Sequence, residues 1–163
     1  MTTASEPRGS VARVRDAVEA AGIRFDLKRF PQGTRTSAEA AAAVGCAVSQ
    51  IAKSLVFRGA ESGRPVLVIA SGVNRVDMVK LAALLGEEVQ RPDARYVRER
   101  TGFAIGGVAP AGHLEPPRVL IDADLMALPE IWAAAGAPDA VFRLSPESLR
   151  DLTAGEVAEV RED

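Results

Sequence analysis

Lys53 is the side chain whose setting in this sequence points most directly to chemistry. It stands in the run Ile51-Ala-Lys-Ser-Leu-Val-Phe57, which alternates faces as a strand does. Ile51, Lys53, Leu55 and Phe57 therefore share one side, and Ala52, Ser54 and Val56 the other. The chain has only three lysines, Lys28, Lys53 and Lys80, against seventeen arginines. An ammonium among three large apolar side chains has two readings. It snorkels out past a sheet edge on its flexible stem, or the face lines a cavity and Lys53 is its charged group. In a cavity it could position an anion, such as a phosphate or a developing oxyanion. It could act as a base only if desolvation lowered its pKa. The pattern leaves these roles open.

A second candidate is the segment Gly102-Phe-Ala-Ile-Gly-Gly-Val-Ala-Pro-Ala-Gly112, with four glycines in eleven residues and no helical or strand period. Glycine lets a backbone take positive φ and approach a ligand closely. Such a loop can aim N–H groups at an anion, or it can be a plain connecting turn. No Gly-Lys-Ser/Thr follows and the dinucleotide fingerprint is absent. His113, the one histidine, closes the loop. It is either a substrate contact or a structural hydrogen-bonder. Cys46 is the one cysteine, which excludes an internal disulfide, a cysteine zinc cluster and, with a single histidine, a multi-histidine metal site. A Ser-His-Asp triad could pass only through His113, and no metal is expected.

The elements that must position these residues follow from periodicity and caps. Ser10 is expected to cap a helix through Val11, Val14, Ala17, Val18 and Ala21, stopped by Gly22. A strand over Phe25–Lys28 and a turn at Pro31–Gly33 follow. Thr36 with Glu39 forms a capping box for a helix that Gly45 ends. Strands are expected over Ile51–Arg58 and Pro65–Ala70, the latter a continuous apolar run suited to a central strand covered on both faces. Val76–Leu85 reads as a helix burying Met78, Leu81, Ala82 and Leu85, with Lys80 a solvated charge on the opposite face. A short strand at Glu88–Gln90 and a helix from Pro92-Asp93 to Arg100 lead into the glycine loop. Strands at Arg118–Ile121, Ile131–Ala135 and Ala140–Leu144, a helix from Ser145 to Leu152 and an edge strand after Gly155 complete the chain. Strands and helices alternate, which favours α/β with a mixed sheet. Residues 1–9 read as a disordered leader and 10–163 as one domain.

At 163 residues the chain suits a single sizeable core, and 47% hydrophobic with 26% charged residues is the balance of a globular protein. Lys plus Arg is 20 and Asp plus Glu is 22, so the net charge is −2. That argues against a protein wrapped by long nucleic acid, but not against contact with a short RNA end. No run approaches the ~20 apolar residues of a membrane span. The start MTTASEPRGS lacks a signal-peptide core. A cytoplasmic protein is expected.

Several segments, taken in order, resemble the YbaK/ProX family of aminoacyl-tRNA deacylases, which includes the editing domain inserted in many bacterial prolyl-tRNA synthetases. They are Thr36-Ser-Ala-Glu-Ala-Ala41, Gln50-Ile-Ala-Lys-Ser-Leu-Val-Phe57, Val66-Leu-Val-Ile-Ala-Ser-Gly72, Arg75-Val-Asp77, Lys80-Leu-Ala82, Thr101 to His113, and Leu120-Ile-Asp122. The resemblance runs from about Phe25 to Leu152. It implies a compact α/β domain with a mixed, curved sheet flanked by helices, and no metal or organic cofactor. It implies that Lys53 is the family's lysine and that Gly106, Gly107, Val108, Ala109 and Pro110 match its Gly-x-x-x-Pro loop. In relatives these elements hold the aminoacyl end of a mischarged tRNA and support ester hydrolysis. The function expected is a trans-editing hydrolase, with Lys53 catalytic and the 106–110 loop with His113 binding substrate. Gly106 is then expected to tolerate no bulky residue. The partners expected are the acceptor end of mischarged tRNA, through Arg58, Arg75 or Arg98, and a synthetase, with neither DNA nor membrane, as monomer or homodimer. The rival readings are a non-catalytic aminoacyl-tRNA or synthetase-binding module of the same fold, and a small-molecule sensor. One departure stands out: where some relatives carry serine or threonine after the glycine matching Gly136, this chain has Ala137, so their amino-acid specificity does not transfer.

Overall fold

Pro65–Ser71 form a strand buried along its whole length, and the sheet is built outward from it. The computed structural model describes residues 9–31, 33–34 and 36–163. Along the chain run α1 (Ser10–Ala20), β1 (Asp26–Arg29), α2 (Ser37–Val44), β2 (Ile51–Gly59), β3 (Pro65–Ser71), α3 (Met78–Leu85), β4 (Val89–Gln90) and α4 (Ala94–Thr101). After the glycine loop come β5 (Arg118–Asp122), β6 (Ile131–Ala137), β7 (Ala140–Leu144), α5 (Pro146–Thr153) and β8 (Glu156–Ala158). Each expected element is present within a residue or two. The expected leader lies outside the described residues except for Gly9, and Gln32 of the expected 31–33 turn lies outside them too.

The described strands make one eight-stranded mixed sheet in the order β1-β7-β6-β2-β3-β5-β8, with β4 beside β2. β2 and β3 are an antiparallel hairpin, β6 runs parallel to β2, and β5 runs parallel to β3. Helices cover both faces. On one, α1, α4, α5 and the glycine loop bury Val14, Val18, Val97, Phe103 and Leu149 against Leu67, Ile69 and Ile121. On the other, Leu81 of α3 packs on Phe57, Val66, Val68, Ala70 and Leu120. That double cover explains why β3 carries no polar side chain before Ser71.

Two local expectations change. Ser10 is not the cap of α1; Gly9 holds that position and Ser10 opens the helix, its hydroxyl donating instead to the carbonyl of Gly136 at 2.5 Å. Lys80 lies at the surface but is engaged: its ammonium donates to the Arg161 carbonyl (2.6 Å) and the Asp163 carboxylate (2.9 Å), tying the C-terminal tail to α3. The Thr36 cap is present, with its hydroxyl accepting from the Glu39 N–H at 3.1 Å.

Candidate active site

The sheet parts along β2. On one side β3 pairs with it from Ala52 to Arg58, but on the other β6 meets it only at Ile51 and Ala52, and β4 only at Arg58 and Gly59. Against the stretch between lies a cavity of about 450 Å3. Lys53 is in its wall, with Thr34, Thr36 and Ser37 from the link into α2 and Trp132, Ala134 and Ala137 from β6. Arg91, Pro92 and Val97 close one side, and Ile105, Gly106 and Val108 of the glycine loop another. Most of this wall is apolar and much of it is alanine or glycine, so Lys53 is a charge in low-polarity surroundings. Leu55 and Phe57, on the same strand face, pack under α3 and also line the cavity beside half-buried Lys53.

Burial pushes the Lys53 ammonium below its ordinary pKa of 10.5; the Asp122 carboxylate opposes that and the Arg75 guanidinium adds to it. The register explains the carboxylate's influence. Lys53 lies opposite Ala70, and β3 pairs with β5 so that Ile69 lies opposite Ile121. Continuing that register by one residue sets Asp122 beside Ala70, on the same sheet face as Lys53. Asp122 is buried, 1% exposed. Its carboxylate is held by three donors: the Ser71 N–H (3.0 Å), the Asn74 amide (2.8 Å) and the Asp124 N–H (2.9 Å). Its carboxyl group is thus held in one position behind the lysine's strand. The sequence segment Leu120-Ile-Asp122 contributed to the resemblance, but no role for Asp122 was legible there.

The glycine loop is closed at its base by the Leu114 N–H to the Thr101 carbonyl (3.1 Å) and the Glu115 N–H to the Arg100 carbonyl (2.9 Å). It is packed inside by Phe103 and Ala109, 1% and 0% exposed, the anatomy of an Ω-loop. Of the loop residues expected to meet substrate, Gly106 and Val108 share the cavity wall with Lys53; Gly107, Ala109 and Pro110 are buried and His113 lies behind them. His113 Nε2 donates to the Ala109 carbonyl at 2.6 Å, and its ring stands edge-on to Phe103 at 5.0 Å. Burial lowers its pKa below 6.5; the Ala109 bond works against that and the Arg13 charge with it. Burial thus favours the neutral ring, which braces the loop through the Ala109 carbonyl.

Gly106 and Gly107 are constrained in different ways. A Cβ on Gly106 would meet nothing within 4 Å, and the constraint is its φ of +95°. Gly107 is the tight position: a Cβ would lie 2.9 Å from the Ala137 Cα, because the loop packs backbone to backbone on the end of β6. Sequence reasoning also missed Arg91, which stands at the cavity over the Phe57 ring, 5.7 Å from its centroid. Of the arginines expected near RNA, Arg58 stacks over Tyr96 at 5.4 Å, Arg75 is 4.0 Å from Glu162, and Arg98 is exposed. Among the described residues no group of three or more His, Cys, Asp or Glu side chains could hold a metal ion.

Comparison with known proteins gives the arrangement its context. The chain is 32% identical over 132 residues to the uncharacterised protein YwhH of Bacillus subtilis (strain 168), covering 81% of this chain and 83% of that one. It is 29% identical over 126 residues, 76% of each chain, to a candidate Cys-tRNA(Pro)/Cys-tRNA(Cys) deacylase, EbsC, of Enterococcus faecalis (strain ATCC 700802 / V583). A crystal structure of a candidate trans-editing enzyme for prolyl-tRNA synthetase superposes with a TM-score of 0.89 at 46% identity, over 94% of this chain and 98% of that one. The aminoacyl-tRNA editing domain model matches residues 31–152, a span holding β2, the lysine, the glycine loop and the cavity between them, and the chain belongs to that family.

Proposed function

We propose that the protein is a trans-acting deacylase that hydrolyses the ester joining an amino acid to the terminal ribose of a mischarged tRNA. The observation that carries this is the sharing of one largely apolar cavity by Lys53, Gly106 and Val108. A water oxygen attacks the ester carbonyl carbon and gives up its proton, and the carbonyl oxygen becomes an oxyanion. The bond from carbon to ribose oxygen then breaks, and that oxygen takes a proton, leaving free amino acid and tRNA. Preorganised N–H donors and a fixed cation in low-polarity surroundings stabilise such an oxyanion more than water does. The Gly106 and Val108 N–H groups supply donors, the Gly107 N–H being taken by the Ala104 carbonyl (2.9 Å), and Lys53, whose charge Asp122 supports against burial, supplies the cation or anchors a neighbouring phosphate. Selectivity rests on cavity size. One methylene is worth only about 1–3 kcal/mol of discrimination, which is why a second sieve is useful. Ala134 and Ala137 shape that sieve here. The RNA end arrives past Arg91, with Arg58, Arg75 and Arg98 as further candidates for phosphate contact; the names of two relatives, one a tRNA deacylase and the other a trans-editing enzyme for prolyl-tRNA synthetase, support a tRNA- and synthetase-linked role, and a cytoplasmic location fits it.

The test is a deacylation screen over a panel of mischarged tRNAs with Lys53→Ala as control. Wild type is expected to discharge at least one tRNA, and folded Lys53→Ala to lose about 10²–10³-fold in rate, the scale of one lost oxyanion contact. Full activity in Lys53→Ala would remove the lysine from the mechanism. Binding of every charged tRNA without ester loss would instead favour a non-catalytic module.

A further inference from the structure

Arg13 belongs to α1, from which no described residue lines the cavity. Its guanidinium nevertheless holds both ends of the glycine loop. Nη2 donates to the Gly102 carbonyl at 2.7 Å, where α4 stops, and Nε donates to the Gly112 carbonyl at 3.2 Å. The same plane lies 5.1 Å from the Phe103 ring centroid, on whose edge His113 rests. The helix backbone is pressed on the loop as well: a Cβ on Gly112 would come within 3.1 Å of Arg13 and Val14 main-chain atoms. One residue group thus reaches the start, the packed interior and the end of the loop.

We propose that Arg13 is a positioning residue for ester hydrolysis, fixing the shape of the 102–113 loop so that the Gly106–Val108 backbone faces the cavity. The inference rests on the reading that this backbone meets the reacting ester. The physical reason is the loop's composition. Gly106, Gly107 and Gly112 bring no side chains to stiffen the chain, and glycine has the largest backbone entropy to lose. Thr101 holds the beginning through its hydroxyl, accepting from the Phe103 N–H at 3.0 Å, and its carbonyl takes the Leu114 N–H at the base, but neither reaches Gly112. A planar guanidinium can hold two carbonyls in fixed directions at once, whereas an ammonium is a point charge on a flexible stem. Without it the loop keeps its base and its apolar plug but not the angle between its two arms. A displacement of about 1 Å at a reacting group lowers turnover by about 10²-fold.

The experiment compares Arg13→Ala and Arg13→Lys with wild type on a tRNA that wild type discharges, measuring kcat and KM separately. Amide hydrogen exchange across the loop is followed alongside. Both variants are expected to lose about 10- to 100-fold in kcat with KM within about twofold, and to exchange faster at 106–108. Millimolar guanidinium ion should restore part of kcat to Arg13→Ala but not to Arg13→Lys. Arg15→Ala, on the same helix with a side chain 51% exposed, should match wild type. Wild-type kcat and wild-type loop exchange in Arg13→Ala or, should that variant not fold, in Arg13→Lys would overturn the proposal. Failure of the underlying reading looks different: wild type discharges no tRNA, or Lys53→Ala discharges it normally, while loop exchange still reports whether Arg13 orders the loop.

Discussion

At the scale of single residues, the site turns on what sets the charge of a lysine in a largely apolar wall. Burial disfavours the Lys53 ammonium, Asp122 supports it and Arg75 opposes it. Asp124, the carboxylate next along, is shared between the Asn74 amide (2.9 Å) and Arg161 (3.5 Å). If the ammonium is the working form, kcat/KM falls as pH rises through the lowered Lys53 pKa. Asp122→Asn removes the supporting charge, so the alkaline limb should move to lower pH. Arg75→Gln removes an opposing charge at an exposed position and should move the limb the other way. Rate profiles of the three proteins check this, and coincident limbs would leave Lys53 without an electrostatic role. The lysine itself was legible in the sequence because it broke an apolar alternation. Asp122 was not, since its relation to Lys53 exists only through the registers of three strands, β2, β3 and β5.

At the scale of elements, the glycine loop combines two constraints that look alike in sequence. Gly106 needs a backbone conformation, and Gly107 needs empty space. The two part under substitution. Asparagine tolerates positive φ better than β-branched residues do, so Gly106→Asn should keep more activity and stability than Gly106→Val. At Gly107 any Cβ pushes on the Ala137 backbone, so Gly107→Ala and Gly107→Asn should both destabilise by about 1–3 kcal/mol, as overpacking does. Both should also lower kcat by moving the Val108 wall. Urea unfolding and turnover measured on the four variants test the assignment; equal tolerance of alanine and asparagine at Gly107 with wild-type stability would contradict the contact. Composition marked the loop as glycine-rich, but which glycine is tight depends on β6 arriving from thirty residues away. The same limit applies to Arg13, whose loop contacts span the sequence positions 13, 102 and 112; its helical periodicity places it on α1 and says nothing of its partners.

At the scale of the whole molecule, periodicity made nearly every strand and helix legible, yet not the order of the sheet. Local pattern carries no record that β6 returns beside β2 and leaves it after two paired residues, and that departure creates the cavity. Charge is the other global property, and here the sum misleads less than it first suggests. The net −2 arises from arginines largely matched at the surface, such as Arg29 with Asp139, Arg100 with Glu115, Arg118 with Glu156 and Arg143 with Asp26. Arg58 and Arg91 instead lie over aromatic rings, Arg91 at the cavity mouth. RNA contact should therefore be confined to a few phosphates near the bound end. Each neutralised phosphate contributes about 0.7–0.9 to the slope of log K against log salt. A contact of about three gives a slope of roughly −2 to −3, against about −6 or steeper for a protein that wraps the stem. Titrating an acceptor-stem RNA at several salt concentrations measures it. Arg91→Gln should make the slope shallower by about one while leaving the fold intact. A steep wild-type slope, or no change in Arg91→Gln, would place the RNA on some other face than the one where the sheet opens beside Lys53.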